Sequence, residues 1–233
     1  MIEATYLDHM GTDLSVVNAA RVSFNKTSNW ELTDWRDSDD YARKEVLSEA
    51  DTKLINYLAK HKHTSPFGHC FASFHIKAPV FVARQLVKHK FLRWNEISRR
   101  YVDSEPEFYV PDVWRGKAED KKQGSSDTNV QLNDNTFYLT DTGDDGVLND
   151  AALFIYQDLL EQGVCPEQAR MVLPQSTMTE WYWSGSLDAF ADMCNLRTKS
   201  DTQWETRDIA FQIDVEMQKL YPISWLALTK GIQ

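Results

Sequence analysis

A globular chain of mixed α and β elements, long enough for one large domain or two small ones, is what this sequence predicts, and two observations carry that expectation. Stretches with apolar residues at helical spacing are interleaved with a stretch of strict apolar and polar alternation, and Pro and Gly mark the joins. The chain is also 42% hydrophobic, with 8 Trp, 9 Tyr and 11 Phe, enough to build a sizeable core.

The elements follow in order. Residues 1–7 fit a short strand. Asp13 is placed to cap a helix through SVVNAARVSF, whose apolar side is Val16, Val17, Ala20 and Val22. Residues 25–49 are polar and charged, anchored only by Trp30 and Trp35, and read as a long excursion with one helical turn. Asp51 opens a second helix with Leu54, Ile55 and Leu58 at helical spacing, which runs into a turn marked by Pro66 and Gly68. Residues 70–78 alternate: Cys70, Ala72, Phe74, Ile76 and Ala78 against Ser73, His75 and Lys77, a half-buried strand. Pro79 suits the first position of a helix through Lys90 that sets Gln85 and Lys88 on a shared side.

Residues 103–146 are rich in Gly, Ser, Asn and Asp and read as a surface insertion around one strand over 135–140. A helix follows over 147–160 and stops at Gly163, and Pro166 starts a short helix that ends before Pro174. Residues 175–185 alternate like a strand. Ser186 and Ser200 are candidate N-caps for two final helices, the second with Gln203 completing a capping box and an amphipathic run to Leu220.

The net charge of −10 and pI near 5.0 disfavour a nonspecific nucleic-acid binder, which needs many spread Lys and Arg. No apolar run is long enough for a membrane span and the N-terminus lacks a signal-peptide layout, so a cytoplasmic location is expected. Cys70, Cys165 and Cys194 show no metal-ligand spacing and are expected to be reduced, structural thiols, Cys165 among them small and buried. Against the acidic background, residues 84–101 concentrate six cations (Arg84, Lys88, Lys90, Arg93, Arg99, Arg100) with one anion, Glu96. Such a concentration implies one anionic ligand bound at a place.

The ordered motifs AARVSF, HTSPFGH, PVFVARQ, KHK, NEISRRY, ARMVLP, NLR and QWE resemble the flavin-dependent thymidylate synthases over roughly residues 10–215. The resemblance implies a single α/β (α+β) domain over residues 1–233, an antiparallel-rich mixed sheet with flanking helices in a thymidylate synthase-complementing-protein-like fold, and a homotetramer with sites built from more than one subunit. It implies FAD as redox cofactor, with NADPH and methylenetetrahydrofolate as cosubstrates in the methylation of dUMP to dTMP.

Residue by residue, the resemblance makes Arg197 the catalytic arginine that contacts the pyrimidine and favours ionisation of its N3, a role suited to a permanently charged guanidinium. It places Gln85, Lys88, Glu96, Ser98, Arg99, Arg100 and Arg170 with Arg197 around dUMP, Arg100 and Arg170 chiefly on the phosphate. It places Ser23, His63, Ser65, Lys88, His89, Lys90, Glu96, Ser186, Asp188 and Asp192 around FAD. No metal site is expected. The sequence departs from the family pattern in Lys88-His89-Lys90, where Arg-His-Arg is usual. Arg99 replaces a glycine, Gly68 a glutamate, and Ser186, Asp188 and Asp192 an asparagine, an arginine and an asparagine. Two polar insertions, near 25–49 and 115–146, have no counterpart in the pattern. A flavoenzyme acting on another pyrimidine nucleotide, and a nucleotide-binding homologue without FAD, are the alternatives.

Overall fold

A computed structural model describes residues 1–37, 40–102, 104–119, 124–134, 136 and 146–229. The first strand, β1 (Glu3–Met10), leads into α1 (Asp13–Arg21), followed by the hairpin β2 (Glu31–Asp37) and β3 (Asp40–Val46). Next come α2 (Glu49–Lys60), β4 (Phe71–Pro79), α3 (Val80–Leu86) and β5 (Leu92–Glu96). A second hairpin, β6 (Arg115–Lys117) and β7 (Ser125–Asn129), precedes α4 (Gly146–Glu161) and the short α5 (Pro166–Ala169). Then β8 (Met178–Ser186), α6 (Leu187–Arg197), α7 (Trp204–Leu220) and α8 (Pro222–Thr229) complete the described chain.

The central sheet has the order β1-β4-β8-β5, every pair antiparallel. Alternation in β4 and β8 puts Phe74 opposite Trp183 and Ile76 opposite Trp181 on one face. Those four side chains are fully buried, and Phe190 of α6 stands edge-on to Phe74 at 5.3 Å and to Trp183 at 5.6 Å. On the other face Ser73 meets Ser184 at 2.8 Å and His75 meets Glu180 at 3.1 Å. At Gly185 any Cβ would collide with the Leu92 side chain, so this glycine lets β5 dock and Trp94 stack on Trp181 at 4.2 Å. That docking positions Glu96, the last residue of β5.

Several expectations change. Asp13 is buried and does not cap α1, whose N-cap is Thr12; its carboxylate accepts from the N–H groups of Ile223 (3.0 Å) and Ser224 (2.8 Å), capping α8 from across the fold. Val22 lies past the end of α1 and is exposed. The excursion over 25–49 holds a β-hairpin, and the second insertion holds another. The strand expected over 135–140 lies, apart from Thr136, outside the described residues. Helix α2 starts at Glu49 on a Ser48 cap, Pro79 precedes α3 instead of opening it, and α7 begins at Trp204, so Ser200 caps nothing. Cys165 is exposed, while burial and the Asp13 charge push Cys70 up to about 11 and burial raises Cys194. No helix among the described residues is long and apolar enough to cross a membrane.

Candidate active site

Helix α3 is shorter than its sequence suggests, ending at Leu86, which leaves Lys88 beyond the helix and off the Gln85 face. The chain then turns through Phe91, at a left-handed φ of 65°, into β5. This turn brings His89 back beside the C-terminus of α6. Arg197 donates through Nε to His89 Nε2 at 2.9 Å and through Nη2 to the Gln85 carbonyl at 3.0 Å. Gln85 is held at its amide too: its Nε2 bonds Gln203 Oε1, and Thr206, fully buried on α7, donates to its Oε1 at 3.2 Å.

Burial, seconded by the Arg197 charge, lowers the His89 imidazole to about 4. At neutral pH the ring is therefore uncharged. A guanidinium N–H can only donate, so Nε2 accepts and the ring proton sits on Nδ1. The positive charge of this corner belongs to Arg197, whose own value burial lowers without discharging it.

A second group lies where α3, the end of β5 and the segment before β8 meet. There Arg84, Glu96, Arg99 and Arg170 line a pocket of about 320 Å³ together with Gln175, Thr177 and Thr179. Glu96 accepts from Thr179 Oγ1 at 2.7 Å and from Trp94 Nε1 at 3.1 Å. Ser98 and Arg100 sit beside this pocket without lining it: Ser98 Oγ accepts from Arg100 Nε at 3.2 Å, and Arg100 reaches Glu167 at 3.5 Å. Among the described contacts Ser98 meets no base that would make it a nucleophile.

Ser23, His63 and Ser65 come together in a third place, a pocket of about 800 Å³ between α1 and α2 that is also lined by Arg21, Lys26, Lys53 and Tyr57. Its wall is braced by Asp51. Burial alone would raise that carboxyl, but Arg21, Ser48 and Ser28 all donate to it and hold it below its usual range. His63 lies parallel to Tyr57, 6.2 Å away.

Ser186, Asp188 and Asp192 form a fourth group at the start of α6. Burial and the Asp188 charge raise Asp192, with Lys62 opposing, and Asp188 keeps one buried carboxylate oxygen without a hydrogen-bond partner among the described residues. Lys88 and Lys90 are exposed beside the turn. One chain thus joins Gln85, His89 and Arg197 directly and gathers Glu96, Arg99 and Arg170. Ser23, His63 and Ser65 stand apart from both. Sequence reasoning missed Gln203 and Thr206 as supports of Gln85, although QWE had drawn notice, and it counted Arg84 only as charge.

Residues 5–223 match the family model described as thymidylate synthase complementing protein. The chain belongs to that family. It is 35% identical to the flavin-dependent thymidylate synthase of Thermosipho africanus over 96% of this chain and 89% of that one. It is 37% identical to the flavin-dependent thymidylate synthase of Thermus thermophilus over 97% of this chain and 75% of that one. Among solved structures, the UMP/dUMP methylase PolB from Streptomyces cacaoi bound with 5-Br dUMP superposes with a TM-score of 0.76 at 30% identity, covering 99% and 95% of the two chains. Family membership accounts for the antiparallel sheet with flanking helices and for the order of the motifs along it.

Proposed function

We propose that the chain is a flavin-dependent thymidylate synthase. It converts dUMP to dTMP with methylenetetrahydrofolate as carbon donor, FAD as redox cofactor and NADPH as reductant. The observation that carries this reading is the Arg197 guanidinium, fixed against a neutral His89 and the Gln85 carbonyl inside a chain related to thymidylate synthases over 96% of its length. His89 and the Gln85 carbonyl take two of the guanidinium's N–H donors. The remainder can meet a uracil carbonyl and hold negative charge developing on the ring. Gln85, braced by Gln203 and Thr206, presents its remaining amide valences to the same nucleotide.

The α1–α2 pocket fits the family's cofactor in its chemistry. Arg21, Lys26 and Lys53 suit a diphosphate, the hydroxyls of Ser23 and Ser65 supply further donors, and Tyr57 with His63 offers a stacking surface. When bound and reduced at the expense of NADPH, the flavin would supply the reducing equivalents. Asp188 and Asp192 repel an anionic diphosphate, so we assign the polar hold on FAD to the α1–α2 pocket and leave the α6 carboxylates out of it.

The separation of these groups within one chain supports a homotetramer in which copies complete one another's sites. Large apolar side chains stand exposed beside site residues: Phe24 (75%), Phe91 (84%), Tyr101 (76%) and Met171 (78%). Each follows one of Ser23, Lys90, Arg100 and Arg170 in the chain and marks a surface suited to a second subunit. We further place the enzyme in the cytoplasm and regard residues 1–233 as one domain.

A second reading has its own support, because the structural neighbour PolB is described as a methylase of UMP as well as dUMP. Incubating the FAD-loaded protein with methylenetetrahydrofolate, NADPH and dUMP, UMP or dCMP in parallel separates the readings. Thymidylate from dUMP is expected; methylation of UMP or dCMP instead would transfer the assignment. A colourless protein that cannot be reconstituted with FAD would mark a nucleotide-binding homologue without catalysis.

A further inference from the structure

We propose that Arg84 is a phosphate-binding residue of the nucleotide site, acting with Arg99 and Arg170, and that their shared pocket is charged to take a nucleoside monophosphate dianion. The identity of the nucleotide rests on the function proposed above; the anion site does not. Arg84 lies on α3, one residue before Gln85, and its side chain is exposed. It lines the 320 Å³ pocket together with Arg170, which another segment of the chain supplies.

Neither the Arg84 nor the Arg170 side chain has an ion-pair or hydrogen-bond partner among the described residues, and Arg99 spends one donor on the Ser104 carbonyl. The carboxylate on the pocket wall, Glu96, is turned to Thr179 and Trp94 and pairs with no guanidinium among the described residues. This pattern runs against the background of the molecule. With 35 acidic residues against 25 basic ones, a surface arginine has carboxylates in ample supply. Guanidiniums left unpaired while converging on one concavity repel each other until an anion arrives.

The charge count selects the anion. Three guanidiniums and one carboxylate leave two positive charges on the pocket wall, matched by a phosphate monoester that carries close to two negative charges at neutral pH. The planar forks of Arg84 and Arg170 enter from different elements and can each take a separate edge of a tetrahedral phosphate. A pocket of this size also has room for the adjoining sugar. Because Gln85 follows Arg84 on the same helix, α3 would grip the nucleotide at two points, phosphate and base.

The test uses the full-length FAD-loaded protein, with Arg84→Ala and Arg84→Lys beside the wild type. In steady-state kinetics the alanine variant should raise KM for dUMP by about tenfold or more while kcat changes less than about threefold, the split expected for a contact held equally in ground and transition states. Lysine should restore part of the loss, since it keeps the charge without the fork. Calorimetric titration with inorganic phosphate should show weaker binding to the alanine variant, and this arm needs no turnover. Phosphate binding that depends on Arg84 in a protein making no thymidylate would sink the proposed function and leave the anion site standing. Equal phosphate and dUMP affinity in wild type and Arg84→Ala would overturn the inference. So would a wild type that binds neither anion, or a variant that loses kcat at unchanged KM. A fall in helical circular dichroism or flavin content that accounts for the kinetic loss would also count against it, by showing a structural role.

Discussion

Adjacent residues of α3 serve two sites of opposite character. Gln85 belongs to a corner where each polar group already has a protein partner: its carbonyl meets Arg197, its amide meets Gln203 and Thr206, and Arg197 in turn holds His89. Arg84 belongs to an open pocket where it and Arg170 form no ion pair among the described residues and Arg99 donates only to the Ser104 carbonyl. The corner is half-buried and its geometry is set before any ligand arrives, which suits the place where charge must be stabilised during reaction. Among the described residues the Arg84 and Arg170 side chains have no ion pair to break, which suits capture of an anion from water. Preorganisation by hydrogen bonds and attraction by unpaired charge thus divide the nucleotide between them.

Breaking the corner should cost the most. Arg197→Ala is expected to lower kcat by about 100-fold or more while the protein keeps its flavin absorbance, because a preorganised charge at a developing anion contributes on that scale. Loss of FAD in that variant would place Arg197 at the cofactor instead. One layer out, Thr206→Val removes the hydroxyl that donates to Gln85 Oε1 at nearly constant shape. The expected loss in kcat/KM is about threefold to tenfold, the worth of one neutral hydrogen bond; an unchanged value would show that Gln85 needs no brace.

The pH dependence sharpens the same contrast. His89 titrates near 4 in the folded protein, below the ordinary value of 6.5, so the unfolded chain binds more protons between those limits. Its contribution to stability is complete above pH 6.5 and is lost as pH falls toward 4. His89→Gln, which keeps an acceptor near the Nε2 position, should flatten the thermal midpoint over that window. A wild-type slope that persists in the variant would assign it to other groups. At the small end, Arg43→Ala removes an exposed pair with Asp34 at 3.7 Å and should change stability by no more than about 0.5 kcal/mol in chemical denaturation.

Legibility in the sequence followed burial. The strand around Phe74 and Ile76 was readable because one face is buried and the other is not, so period two survives in the residues. The β2–β3 hairpin was not readable, because ELTDWRD pairs with DYARKEV and no apolar stripe singles out a buried face. β5 hid for a related reason: Leu92 and Trp94 sit among the charges of a stretch that reads first as an anion clamp. Helix α8 needed Asp13, about two hundred residues away, to cap it. At the site, the motifs named Gln85, His89 and Arg197 through family resemblance, but their joining is tertiary. Gln203, read as part of a capping box, instead spends its side chain on Gln85. Arg84 stands inside PVFVARQ but reads there only as charge, and its role became visible only when α3 set it on one pocket with Arg170.

The most direct measurement of Arg197 acting upon a pyrimidine nucleotide is product formation by the FAD-loaded protein supplied with dUMP, methylenetetrahydrofolate and NADPH. Chromatography of the quenched reaction should show dTMP accumulating with dUMP consumption in the wild type and none above background in Arg197→Ala. A wild type that binds FAD and dUMP yet forms no dTMP, or an Arg197→Ala variant that forms it at the wild-type rate, would contradict the account.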